Sequence, residues 1–208
     1  MKTNVEQLEE ILSQDDGERA LCTFLKENPY ILRDSLQYLG NPSRVIAEFP
    51  LGTEYYADFV VIAPFSGAIE IRFIEVEPPA STFFNRDFSL AQRTNKAVEQ
   101  INSWKIYVEK NRPQLIRDLE RYAKKKDLIR EHSEDEELTC TAGWNIHNPR
   151  MSLYFSYTIL MGRRSSLTDE MLERKASFDK NMGVSLVSCD RLIGGASKID
   201  LNPHIYEK

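Results

Sequence analysis

Residues 57–63, Ala-Asp-Phe-Val-Val-Ile-Ala, form a nearly continuous apolar run containing a single acid. A strand with one wet face alternates apolar and polar residues, whereas a run without alternation suits a strand covered on both faces. The fold must therefore place material on each side of a sheet that contains this segment. Pro64 and Ser66-Gly67 turn the chain, and a second strand, 69–77, follows and is ended by Pro78-Pro79. A third, 44–49, precedes them with Arg-Val-Ile-Ala-Glu-Phe.

Helical spacing supplies the covering layers. Val5, Leu8, Ile11 and Leu12 mark a helix over 4–14. Asp15-Asp16-Gly17 offers a break and an N-cap for a helix over 17–27, stopped by Asn28-Pro29 and followed by a short helix with Ile31, Leu32 and Leu36. After a loop at 80–88 comes a long helix, 89–110, with Leu90, Ala97, Ile101, Trp104 and Val108 as its stripe. Pro113 starts another, ending in Lys124-Lys125-Lys126, and the acidic stretch 131–137 reads as an exposed linker. Residues 138–145 and 151–162 read as strands, 168–182 as a helix and 184–188 as a last strand. The expected fold is α/β, one central sheet flanked by helices, without internal repeats. Its expected division is an N-terminal helical segment, 1–40, and a core over 41–208 that closes with a strand-helix-strand.

Composition excludes several classes. No apolar run approaches the roughly 20 residues of a membrane helix, and the polar, acidic stretch 1–14 is no secretory signal. A cytoplasmic location without membrane partners is expected. Cys22, Cys140 and Cys189 are scattered and odd in number, which suits buried or idle thiols rather than disulfides or zinc. His132, His147 and His204 do not cluster, and the last two, each beside a proline, read as loop residues. A net charge of −5 opposes nucleic-acid binding on its own, but residues 105–130 hold nine basic residues against four acidic ones.

The informative chemistry is Asp58 with Glu75-Val76-Glu77. Alternation puts Ile71, Phe73, Glu75 and Glu77 on one strand face. The two glutamates are then roughly 7 Å apart along the strand. If the turn at 64–67 makes a hairpin, the start of one strand lies beside the end of the other, and Asp58 meets both glutamates. Three crowded carboxylates repel and resist desolvation, which a divalent cation resolves. Oxygen ligands favour Mg²⁺ or Mn²⁺. The bland alternative, solvent-facing edge glutamates, conflicts with Ile71 and Phe73 on the same face. Glu18 precedes Leu21, Cys22 and Leu25 and borders a buried stripe, and Gln100 lies with Ala97 and Trp104 on the long helix. A first-turn acid favoured by the helix dipole and a solvated flank are their respective alternatives.

The segments Glu18…Phe24-Leu25-Lys26-Glu27-Asn28-Pro29, Phe49-Pro50-Leu51-Gly52-Thr53-Glu54-Tyr55-Tyr56-Ala57-Asp58-Phe59, Phe73-Ile74-Glu75-Val76-Glu77-Pro78 and Ala97…Gln100-Ile101…Trp104 together resemble the nuclease domain of the Shedu antiphage-defence family. Gly162-Arg163-Arg164 and Ser188-Cys189-Asp190-Arg191-Leu192 are similar as well, and the likeness covers most of 15–195. The resemblance implies a PD-(D/E)XK fold, restriction-endonuclease-like, with a central mixed sheet flanked by helices. It implies DNA cleavage in phage defence, with Asp58, Glu75 and the Val76 carbonyl holding the metal. Gln100 would be the glutamine of the helix after the core strands, and Glu18 the acid of the first core helix. The family pattern has Lys where this chain has Glu77. A glutamate there implies a general base, a second-metal ligand, a charge supplied instead by Lys96 or Lys105, or lost catalysis.

The expected activity is therefore a Mg²⁺-dependent DNA endonuclease using Asp58, Glu75, Glu77, Gln100 and Glu18. Arg163, Arg164, Lys105, Lys124 and Lys125 are the candidate DNA contacts. Cutting both strands implies a homodimer or a larger homo-oligomer. The competing expectation is a catalytically inactive nucleic-acid-binding or oligomerisation module that keeps the fold.

Overall fold

The apolar run becomes an interior strand of a five-stranded mixed sheet. The computed structural model describes residues 2–14, 17–36, 42–129, 131–133 and 136–206. Strands β1 (Arg44–Leu51), β2 (Tyr55–Phe65) and β3 (Ala68–Val76) form an antiparallel meander. Strands β4 (Ser152–Leu160) and β5 (Ser185–Val187) add to it in parallel, in the order β1-β2-β3-β4-β5. A helical crossover joins β3 to β4, as a parallel connection requires.

Burial on β2 is what its composition demands. Val60 and Ile62 join one core and Phe59, Val61 and Ala63 the other. The first core lies under helices α4 (Gln92–Lys110) and α5 (Arg112–Lys126), whose Ala97, Ile101, Trp104, Leu115 and Leu119 are buried there. The loop 80–88 contributes buried Phe83 and Phe84 to the same core. Thr94 of α4 clamps that loop by donating to the Phe83 carbonyl at 3.0 Å. The second core lies under α1 (Asn4–Leu12), α2 (Glu18–Glu27), α3 (Pro29–Ser35) and a C-terminal helix, α7 (Arg191–Leu201). Asp15 and Asp16, expected to break the first two helices, lie outside the described residues, as do Glu134 and Asp135 of the acidic stretch.

Three expectations are corrected. Residues 138–145 form a turn with one isolated bridge, Thr139 to Asn145, because Gly143 takes φ +80° and reverses the chain. Beyond the expected strand-helix-strand of β4, α6 (Asp169–Met182) and β5, the chain continues into α7 and a short α8 (Pro203–Tyr206). His204 is consequently helical rather than in a loop. The described part of the acidic stretch is exposed as expected at Glu131, Ser133, Glu136 and Glu137, with His132 Nδ1 lying 2.7 Å from the Asp127 carboxylate.

Gly195 sets the closeness of α7 to α3. A Cβ there would stand 2.3 Å from Ser35 Oγ and 2.6 Å from the Ile31 carbonyl, whereas Gly194 next to it faces open space. Gly195→Ala is expected to cost about 2 kcal/mol in urea unfolding. Gly194→Ala should be neutral or stabilising by up to about 1 kcal/mol. Equal effects of the two would contradict this packing.

Candidate active site

The site forms where the β2–β3 ladder ends. The paired register stops at Phe59 with Ile74. One step further, the Val76 N–H donates to Asp58 Oδ2 at 2.8 Å, so the Asp58 side chain takes the next hydrogen bond. On the other side of β2, Glu48 of β1 adopts φ 51°, a left-handed conformation rare for a residue with a side chain. Side-chain alternation slips there, with Ile46 and Phe49 entering one core from the two sides of Glu48. Strained positions of this kind concentrate at functional sites.

Glu75 lies at the meeting of the two helical layers. Burial is the main reason its carboxyl is pushed up to about 9, and the charges of Asp58, Glu77 and Glu18 add to the effect. A hydrogen bond with Gln100 of α4 opposes the rise. Asp58 is also raised, first by burial and then by Glu77 and Glu48, against the Val76 N–H and the Lys26 charge. The four acids and one amide singled out in the sequence thus converge: Asp58 from β2, Glu75 and Glu77 from the end of β3, Glu18 from α2 and Gln100 from α4. Cys22, one helical turn after Glu18, borders the same cluster. Burial first, then the Asp58, Glu18 and Glu75 charges, push its thiol up to about 12, which leaves it a neutral wall rather than a thiolate.

Glu77 is turned to a partner that the sequence reading missed. Arg93, in the first turn of α4, places Nη1 3.1 Å from Glu77 Oε2 and 3.8 Å from Glu18 Oε2. A cation therefore sits beside the position where the resembling pattern has lysine. No local pattern announces it: only the closure of the loop 80–88 returns the start of α4 to the end of β3. A second missed cation is Lys26, paired with Glu48 at 2.5 Å and acting on Asp58.

The expectation of three carboxylates closing on one cation is not met as the side chains lie. Among the described residues no group of three His, Cys, Asp or Glu side chains is arranged to hold a metal. The reason is Glu77, which faces Arg93. Two carboxylates remain, Asp58 and Glu75, with the Val76 backbone between them. The donors are all oxygen, and Mg²⁺ commonly takes one or two carboxylates and completes its shell with water and phosphate. Glu75 also holds a proton that a cation would replace, which is the fit expected of a hard divalent ion.

The other named residues lie elsewhere. Lys105 donates to the Met182 carbonyl at 2.7 Å, remote from the carboxylates, and Lys96 is exposed on α4. Arg163 is held by Asp190 at 3.0 Å and by the Leu12 carbonyl at 3.1 Å. Arg164 is exposed after β4, and its backbone N–H donates to Asp190 at 2.6 Å. Lys124 and Lys125 are exposed at the end of α5, whose Lys126 acts on Glu48. Among the described residues no helix is long and apolar enough to cross a membrane.

A family model described as Shedu protein SduA, C-terminal, matches residues 15–193. No curated protein matches the chain. The matched span contains every carboxylate of the cluster, Gln100 and Arg93.

Proposed function

The chain belongs to the Shedu SduA C-terminal family, and from that premise we propose that it is a metal-dependent DNA endonuclease of antiphage defence, built on a PD-(D/E)XK-type core. The observation that carries the reading is the half-buried Glu75 carboxyl beside a half-buried Asp58, an arrangement that costs stability unless a cation or proton compensates it. Asp58, Glu75 and the Val76 carbonyl would hold Mg²⁺ or Mn²⁺. Such an ion supplies charge neutralisation at a phosphodiester and acidifies water at neutral pH.

The chain's own groups perform the remaining work. Gln100 fixes the Glu75 carboxylate by hydrogen bonding. Glu77 is the further carboxylate at the rim and can accept the proton of an attacking water. Arg93, anchored by Glu77 and Glu18, offers its other N–H groups to the phosphate oxygens. Water oxygen bonds to phosphorus, one bridging P–O bond breaks in line, and the leaving oxygen takes a proton from solvent.

Plasmid nicking tests this. Relaxation of supercoiled DNA is expected with Mg²⁺ or Mn²⁺, none with EDTA, and none with Asp58→Ala, whose loss leaves the Val76 N–H without its partner. DNA binding without cleavage under every metal condition would favour an inactive binding module. A dimer or larger homo-oligomer is proposed for cutting both strands, and light scattering of the intact chain measures it.

A further inference from the structure

A second charged cavity lies along the sheet from the carboxylates. It is about 470 Å³, between α6 and the edge strand β5; Arg72 in its wall is engaged by Glu70 at 2.8 Å, and three further cations line it, Arg164, Lys175 and Arg191. These cations come from three separate segments: the turn after β4, the middle of α6 and the first turn of α7. Their convergence is unusual for a chain of net charge −5.

The anions beside them are already engaged. Asp190 accepts from Arg163 Nε at 3.0 Å and from the Arg164 backbone N–H at 2.6 Å. Asp179 accepts from the Leu186 N–H at 2.9 Å and stands 3.9 Å from Lys175. Among the described residues the Arg164 and Arg191 guanidinium groups have neither ion pair nor side-chain hydrogen bond. Lys175 is only 22% exposed. Burial, and the neighbouring Arg191 and Arg164 charges, hold its ammonium below the usual range against the pull of Asp179. Three crowded cations with spent counterions favour an anion of high charge density. The Ser188 hydroxyl on the same wall adds a donor.

The position of the cavity selects the anion. β3, β4 and β5 are parallel, so their C-terminal ends share one edge of the sheet. Short bonds stitch that edge together: Glu77 N–H to the Leu160 carbonyl at 2.9 Å, Gly162 N–H to Pro78 at 3.3 Å, Cys189 N–H to Gly162 at 3.0 Å. Glu75 and Glu77 stand at the end of β3, Arg164 follows β4 and Arg191 follows β5. Two strand spacings, roughly 10 Å, separate β3 from β5. A single polynucleotide strand can span that distance.

We propose that Arg164, Lys175 and Arg191 form a phosphate subsite for the DNA strand whose scissile phosphodiester lies at Glu75. The proposal rests on the nuclease reading, but its test does not require cleavage. Binding of a short fluorescent duplex is measured by anisotropy in EDTA, with the intact chain and over a series of salt concentrations. The Arg164→Gln/Arg191→Gln double variant should weaken binding roughly tenfold and lower the slope of log affinity against log salt by about 2. Lys175→Met, which keeps the buried stem, should weaken binding in the same direction. Variants are compared only where they melt with the parent chain. Unchanged DNA affinity and slope would overturn the subsite. So would a cavity that holds inorganic phosphate, seen as phosphate-dependent stabilisation lost in the double variant, while DNA affinity stays intact. A chain that never cleaves plasmid yet loses DNA affinity in these variants overturns the nuclease reading and leaves the phosphate site standing.

Discussion

Glu75→Gln should abolish cleavage while making the metal-free protein more stable at alkaline pH. The activity loss is expected to be at least about a thousandfold, because the change removes a ligand of the ion that neutralises the phosphodiester. The stability gain has a definite sign. The Glu75 carboxyl is pushed up to about 9 from an ordinary 4.5, chiefly by burial and then by Asp58, Glu77 and Glu18. Between those values the folded chain binds more protons than the unfolded one. Stability is therefore full below pH 4.5 and is lost as pH rises through about 9. Glutamine carries no such charge and keeps a hydrogen-bonding group for Gln100. At pH 8 in EDTA the variant should melt roughly 5–10 °C above the parent chain, and at pH 4 the two should coincide. Scanning calorimetry across pH measures both. A variant that is less stable at pH 8 would mean that Glu75 is held ionised by contacts other than a cation.

Arg93→Ala should lower kcat by about a hundredfold to a thousandfold with little change in melting temperature. The Arg93 side chain is 56% exposed, so its ion pairs with Glu77 and Glu18 contribute little to folding. Its value lies in holding positive charge where negative charge develops. Arg93→Lys should retain part of the activity, as a point charge without the planar fork. Cleavage by Arg93→Ala equal to that of the parent chain would remove Arg93 from the mechanism. An increase would make it an inhibitory clamp on Glu77.

Much of this site was legible because strand periodicity and turn chemistry fix register. The run at 57–63 required cover on both faces, and β2 is buried between two cores. The Ser66-Gly67 turn made β2 and β3 a hairpin, which brought the start of one beside the end of the other. Parity then placed Glu75 toward the α4 face, where Gln100 meets it. Local patterns failed where tertiary contact decides. The 138–145 segment is apolar enough for a strand, but Gly143 turns it back on itself. Arg93 was invisible because a surface arginine in a first turn carries no signal until the preceding loop is closed. Lys105, by contrast, suggested a substitute for the missing lysine by its place on α4, yet it faces Met182. The slip at Glu48 could not be read either, since nothing in Ala47-Glu48-Phe49 demands a left-handed residue.

The sharing of one divalent cation by Asp58 and Glu75 is tested most directly by Mn²⁺ binding to the intact chain, followed by calorimetry in two buffers of different ionisation heat at pH 7.5. The account predicts saturable binding that releases close to one proton, the one displaced from Glu75. It also predicts that Glu75→Gln loses both the binding and the proton release. Binding of equal affinity in Glu75→Gln, or saturable binding with no proton released, would contradict it.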